Sequence, residues 1–308
     1  MTIFWSVLGN NVLPLSVMIA IGVTLQRAFS LDIKTLSRLN FYLFSPAIIF
    51  KLLYTTEISL GVIGTVLLFF VIFMALMFAV VEAVVRLRGL EGGMRGAMRN
   101  SVLFYNSANY GIPLNQLAFA ANPFTLSVQV LIMMMQSLLP NTWGIYSVNA
   151  HRSSGRKIVK TIIRQPVIYA IPLAFLMRGF DIPLAGFLQT PLDYLANAFT
   201  GTALITLGVQ IGSMRWSYKD LMLKDVLLSC GVRLIIGPLL ALLVVWMIGI
   251  DGIMAKALIV SSAVPTSLSS VLLAVEFDNE PEFASQVVFV STFLSIITVT
   301  FVIFMLHI

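Results

Sequence analysis

Apolar runs of about 20 residues, the length that crosses a bilayer, recur along this chain with short polar connections between them. Ten can be marked, at 8–28, 36–55, 59–85, 97–120, 124–148, 158–178, 190–211, 221–248, 253–275 and 283–306. The pattern predicts an all-α membrane protein of ten transmembrane helices. Two runs depart from it. The fourth carries FYNSANYGIPLNQ (104–116) and the ninth carries SSAVPTSLSS (261–270). Gly111 lowers helix propensity, and Pro113 and Pro265 each lack an N–H and crowd the preceding turn. Hydrocarbon offers no partner for the backbone groups such breaks release, so both runs must face protein or a watery cavity.

Composition agrees with the runs. The chain is 59% hydrophobic and 10% charged, with a mean hydropathy of +0.98, against about 25% charged residues in soluble domains. A net charge of +6 raises the question of nucleic acid, but the charges lie in the connections. With the amino terminus outside, fifteen of the 19 basic residues fall inside. Lys51, Arg178 and Lys256 fall outside, and Arg233 lies within a run. That bias supports the ten-span count and an orientation with both termini outside; the inner (plasma) membrane is the expected location, and no nucleic-acid partner is expected. MTIFWSVLGNNVLPL reads as a retained first span, not a cleaved leader. Cys230 is alone, so no intrachain disulfide forms. His151 and His307 form no metal cluster, no GxxxxGK[ST] sequence occurs, and no acid–base or nucleophile set converges within the runs. A cofactor-free protein that is not an enzyme is the expectation, with any transport secondary.

Ten runs divide into five in 1–150 and five in 151–308. The halves start on opposite sides, so they are inverted in topology. Pro14 and Pro46 in the first half are echoed by Pro166 and Pro172 in the second, and the fourth run of each half is the broken one. Interrupted segments at matching positions of inverted halves point to a transporter's binding site. Asn106 and Asn109, three apart, share a face if the segment is helical. Their amides can hold a carboxylate, coordinate a cation or bond another helix. Ser261, Ser262, Thr266 and Ser267 supply hydroxyls at the second break, and half-helix amino ends favour anions. Arg233 is a candidate charge partner for an anion, a support for the local fold, or a side chain snorkelling inward past Asp225. Glu82 is expected to meet inner-surface water or nearby arginines. EFDNEPE (276–282) reads as a solvated loop, and RGLEGGMRGAMRN as a positive-inside loop.

NSANYGIPLNQLAF resembles the fourth-span signature of the auxin efflux carrier family, whose plant PIN-type exporters carry NTLVMGIPL, with Asn106 on that motif's asparagine. GVRLIIGP (231–238) is similar to VRFLTGP and sets Arg233 on its arginine. LIVSSAVPTSLSSVLLAVEFDNEPEFASQVVFVST is similar to the ninth-span region LPQGIVPFVFAKEY and its continuation, with Pro265 on its proline. LNFYLFSPAIIF sets Pro46 on a recurrent proline. The matches run through both halves in order. The long cytoplasmic loop of many plant exporters is absent, which points to a compact, bacterial-type member.

The resemblance implies the fold of the bile acid sodium symporters: a scaffold of spans one, two, six and seven, and a transport domain of spans three to five and eight to ten. Spans four and nine would cross at their breaks, kept broken by Gly111, Pro113 and Pro265. Substrate would lie beside the crossing, held by Asn106, Asn109, Tyr110, Ser262, Pro265 and Thr266. The implied cargo is a small organic anion, auxin-like or a dicarboxylate, moved by an elevator mechanism, and the implied assembly is a homodimer. A proton or sodium coupling ion stays open. So do two alternatives, a sodium-coupled symporter of a larger amphipathic anion and a transporter-like sensor without flux.

Overall fold

The computed structural model describes residues 2–56, 59–144, 147, 166–214 and 222–308. The start of the sixth expected run, His151 and the basic residues between 148 and 165 lie outside the described residues, as does 215–221. Every regular element described is helical. Six helices are long and apolar enough to cross a membrane: α1 (Phe4–Phe29), α2 (Ile33–Thr55), α3 (Leu60–Leu87), α8 (Gly186–Ser213), α9 (Leu223–Ile248) and α12 (Pro281–Met305). At 1.5 Å per residue, the 28 residues of α3 extend about 42 Å, beyond the roughly 30 Å of hydrocarbon. Between these lie α4 (Gly92–Leu103), α5 (Gly111–Ala118), α6 (Pro123–Leu139), α7 (Val167–Gly179), α10 (Gly252–Ser262) and α11 (Ser269–Glu276).

Local chemistry explains the boundaries. The Asp32 carboxylate accepts from the Lys34 and Thr35 N–H groups at the start of α2, and the bond from the Thr35 hydroxyl, followed by these backbone bonds, holds it below the usual carboxylate range. The Ser59 hydroxyl caps α3, and the Asn122 amide caps α6 from Phe124 N–H at 3.0 Å. Such side-chain oxygens satisfy first-turn donors that have no partner within the helix. Helix α9 stops at Gly249, whose φ of +74° few other residues adopt.

The fourth and ninth runs are each two half-helices, as the polar breaks predict: α4 with α5, and α10 with α11. Pro265 lies within the second gap, as expected, but the first gap is not centred on its expected breakers. Gly111 and Pro113 stand in the first turn of α5, after the gap. A first-turn proline loses no helical hydrogen bond, and its ring would crowd the carbonyl four residues back if the helix ran on. Gly111 is there for space: a Cβ would run into the Gln129 amide, whose Nε2 donates to Ser107 O at 2.8 Å.

Helices α1 and α8 pack along their length with backbones nearly touching. A Cβ on Gly208 would lie 2.8 Å from the Gly22 Cα, and one on Gly212 would lie 3.1 Å from Val23 O. Small residues are what allow such close approach between apolar helices. Helix α2 packs on α7 and α8, where the Asn40 amide donates to Thr206 Oγ1 at 2.6 Å and accepts from Thr202 Oγ1 at 2.7 Å. Lys51 pairs with Asp193 at 2.6 Å further along the same two helices. The remaining helices, α3 to α6 and α9 to α12, pack chiefly on one another. At the end of α3, Glu82 is buried and accepts from Arg86, Arg95 and Arg99, so it meets arginines and not open water. Arg88 joins Asp225 of α9 at 3.0 Å.

Candidate functional site

The two gaps lie against each other. Tyr105 and Thr266 form an antiparallel bridge, in which Asn106 N–H donates to Pro265 O and Ser267 N–H to Phe104 O, both at 2.8 Å. Each break thus satisfies backbone groups the other releases. Gln136 of α6 completes the set, donating to Leu103 O at 3.2 Å and accepting from Tyr105 N–H at 3.4 Å. The Thr266 hydroxyl donates to Ser101 O at 2.8 Å, and Thr266 N–H donates to Ser291 Oγ of α12 at 3.2 Å. This pairing is how broken backbone survives at membrane depth.

Charge around the gaps is asymmetric. The carboxyl ends of α4 and α10 converge on Arg233, which is 0% exposed. Its guanidinium donates to Val102 O and Ser262 O and lies 4.5 Å above the Tyr105 ring. Each helix carboxyl end carries roughly half a negative charge, so one fixed cation balances both. Arg233 therefore does not snorkel to the surface. The amino ends of α5 and α11 begin on the other side, beside a cavity of about 440 Å³.

One wall of that cavity is the gap itself, Tyr105 to Asn109, with Ser267 to Ser269. Gln136 of α6 adds to it, and the facing wall is Ser37, Arg38, Asn40 and Ser45 of α2 with Phe199, Thr206 and Gln210 of α8. Asn106 and Asn109 both line it, though not as a helical pair. The segment is not helical, and Asn106 Oδ1 accepts from Asn109 N–H at 3.1 Å, closing a local turn that leaves the Asn106 Nδ2 without a partner among the described residues. The other four expected site residues are absent from the lining. Tyr110 is 1% exposed and bonded to Ser295 of α12 at 3.0 Å. The Ser262 hydroxyl bonds Ile259 O at 2.7 Å, and Thr266 and Pro265 are engaged in the bridge.

Several lining residues were not among those expected. Arg38 counted only as an inner-loop charge, and Asn40, Thr206 and Gln210 are isolated polar positions in apolar runs. Gln136 left one sequence signal, an amide in the middle of an apolar span. Nothing in the spacing joins α2 and α8 to the gap.

A cavity whose largely apolar wall carries amides and hydroxyls, between packed helices, can take a small ligand with both polar and apolar parts. The membrane transport protein family matches residues 147–303 of the chain, which include α7 to α11 and most of α12. An uncharacterized transporter of Methanothermobacter thermautotrophicus is similar along nearly all of it, with 24% identity over 294 residues, 94% of this chain and 95% of the relative. Helices able to span a bilayer, a cavity between them and this match together place the chain in the membrane transport protein family.

Proposed function

We propose that this membrane transporter carries a small organic anion, that its helices form ten spans in two inverted halves, and that the substrate binds where the broken fourth and ninth spans cross. The observation that carries this reading is the cavity of about 440 Å³ at the paired breaks. Its volume falls within the roughly 300–1,000 Å³ of small-molecule sites. Its lining offers amide and hydroxyl donors, two half-helix amino ends and one arginine, and no carboxylate among the described residues. Every fixed charge on that surface favours an anion.

Alternating access would come from an elevator movement of α3 to α6 and α9 to α12 against a scaffold of α1, α2, α7 and α8. The glycine contact of α1 with α8 and the Asn40 bonds support a firm scaffold; the backbone bridge and Arg233 support a moving group that travels as one body. The cavity lies between them. Towards one membrane surface, a buried apolar cluster joins Ile49 and Leu53 of α2, Ile112 of α5, Val130 of α6 and Ala203 of α8. Towards the other lie Arg38, Pro140 and Gln210 of the lining. With both termini outside, that side would face inward.

The test uses purified protein in proteoliposomes and a panel of organic acids. Asn106→Asp keeps the oxygen that accepts from Asn109 N–H, removes both amide donors and adds a negative charge. Flux is expected to fall at least tenfold, since a hydrogen bond to a charged group contributes about 1.5–3 kcal/mol. Wild-type flux in this variant, with its fold intact, would remove Asn106 from the site.

A further inference from the structure

Arg38 differs from the other described cations in lining the cavity; like Arg27, Lys34 and Lys224 it is exposed and has no ion pair among the described residues. Lys51 has Asp193, Arg88 has Asp225, and Arg86, Arg95 and Arg99 share Glu82. Arg178 and Arg233 are held by backbone carbonyls. Arg38 has no ion pair or side-chain hydrogen bond among the described residues, and it lies on the cavity wall as the one charged lining residue among them. A guanidinium cannot lose its proton at working pH, so it presents a permanent positive charge with no counter-ion to a cavity whose described lining holds no acid.

Its position is built in. The Asn40 amide is bonded to Thr202 and Thr206, and Ser37 accepts from Gln210 Nε2 at 3.2 Å. These contacts tie the start of α2 to α8 on both sides of residue 38. A π-helical turn comes next, at Asn40–Phe44, a distortion often found at functional sites. The Gln210 side chain is 6% exposed, and its amide oxygen has no partner among the described residues, which adds a buried polar group with unused bonding capacity to the same wall. Inner-side charges such as Arg27 and Lys34 bias the topology without lining the cavity, so topology alone does not explain where Arg38 lies.

We propose that Arg38 is the specificity-determining residue that makes the cavity select anions, pairing with the substrate's negative group from the α2 side, opposite Asn106 and Asn109. The proposal rests on the reading of the cavity as the substrate site. The planar fork of the guanidinium matches a carboxylate, whereas the amide donors opposite serve a carboxylate and a neutral carboxamide alike. Discrimination between those two groups therefore falls to Arg38.

The experiment compares four carboxylates with their neutral amides: benzoate with benzamide, phenylacetate with phenylacetamide, succinate with succinamide, and malonate with malonamide. Ligand-induced rise in melting temperature and counterflow in proteoliposomes are measured for wild type, Arg38→Gln, Arg38→Lys and Asn106→Asp. Wild type is expected to prefer at least one carboxylate over its amide. Arg38→Gln should lower that preference at least tenfold, raising the half-saturation concentration with the maximal rate within twofold, and Arg38→Lys should keep most of it. The ligand-free melting temperature should not move, because Arg38 contacts no structural partner among the described residues. Carboxylate preference that persists in Arg38→Gln, while Asn106→Asp loses binding, overturns the role of Arg38 and leaves the site standing. No response of wild type to any carboxylate overturns the site reading itself, and with it the role given to Arg38.

Discussion

Replacing Arg233 by methionine tests whether the paired helix ends depend on its charge. Methionine keeps an unbranched apolar stem in the space beside Phe73 and Tyr105 and removes the guanidinium. Two charge-assisted bonds disappear, those to Val102 O and Ser262 O, each contributing about 1.5–3 kcal/mol. The position over the Tyr105 ring adds roughly 1 kcal/mol. Opposing this, the variant no longer buries an ion whose Nε has no partner among the described residues, and removal of buried charge can stabilise when both partners are replaced. Here one partner cannot be replaced, because the acceptors are backbone carbonyls at the carboxyl ends of α4 and α10. Left dry and unbonded, they cost about 1–3 kcal/mol each. The orphaned carbonyls win, and the net loss is about 3 kcal/mol, or roughly 5 °C in melting temperature at about 2.1 cal/mol/K of unfolding entropy per residue over 308 residues. The assay is thermal unfolding of detergent-purified protein monitored by tryptophan fluorescence, with hydrogen exchange at Asn106 and Ser267 as a local reporter of the bridge. Arg233→Lys, which keeps the charge but not the fork, should lie between. A methionine variant that melts within 2 °C of wild type with a protected bridge would refute the reasoning.

Other perturbations have equally specific outcomes. Gly208→Leu puts a side chain where a Cβ alone would lie 2.8 Å from the Gly22 Cα; backbone cannot yield cheaply, so stability should drop by more than about 3 kcal/mol, read as loss of the monodisperse peak on size exclusion. Glu82→Gln removes the carboxylate shared by three arginines; with two of them well exposed the loss should be about 2 kcal/mol, seen as a lower melting temperature that Arg86→Ala alone does not reproduce. Gln136→Leu strands Leu103 O and Tyr105 N–H and should speed exchange across the bridge, at a loss of about 2 kcal/mol, while the distant α1–α8 contact keeps its protection.

The helical, membrane-spanning character of the chain and the two breaks were legible in the sequence, because both are local properties. Burial in hydrocarbon demands about 20 apolar residues in a row, visible in LGVIGTVLLFFVIFMALMFAVVEAVVRL of α3. Proline and clustered amides in such a run announce a break wherever they occur. What Arg233, Asn106 and Arg38 do was not legible. Arg233 could equally have met a ligand, a carbonyl or the interface, and packing of α9 against α4 and α10 put two carboxyl ends within its reach. Asn106 and Asn109 line a cavity through a non-helical turn, which helical spacing cannot foresee. Tyr110, Ser262 and Thr266 looked like ligands by type, yet their hydroxyls bond Ser295, Ile259 O and Ser101 O. Arg38 is a short step from Lys34 along the chain, and only the approach of α2 and α8 to the breaks puts it on the cavity wall. Sequence alone determined that the chain carries membrane-spanning helices and that two of its apolar runs must break. Tertiary structure decided which polar groups the protein satisfies itself and which it leaves open, because that depends on contacts between residues as far apart as Ser37 and Gln210.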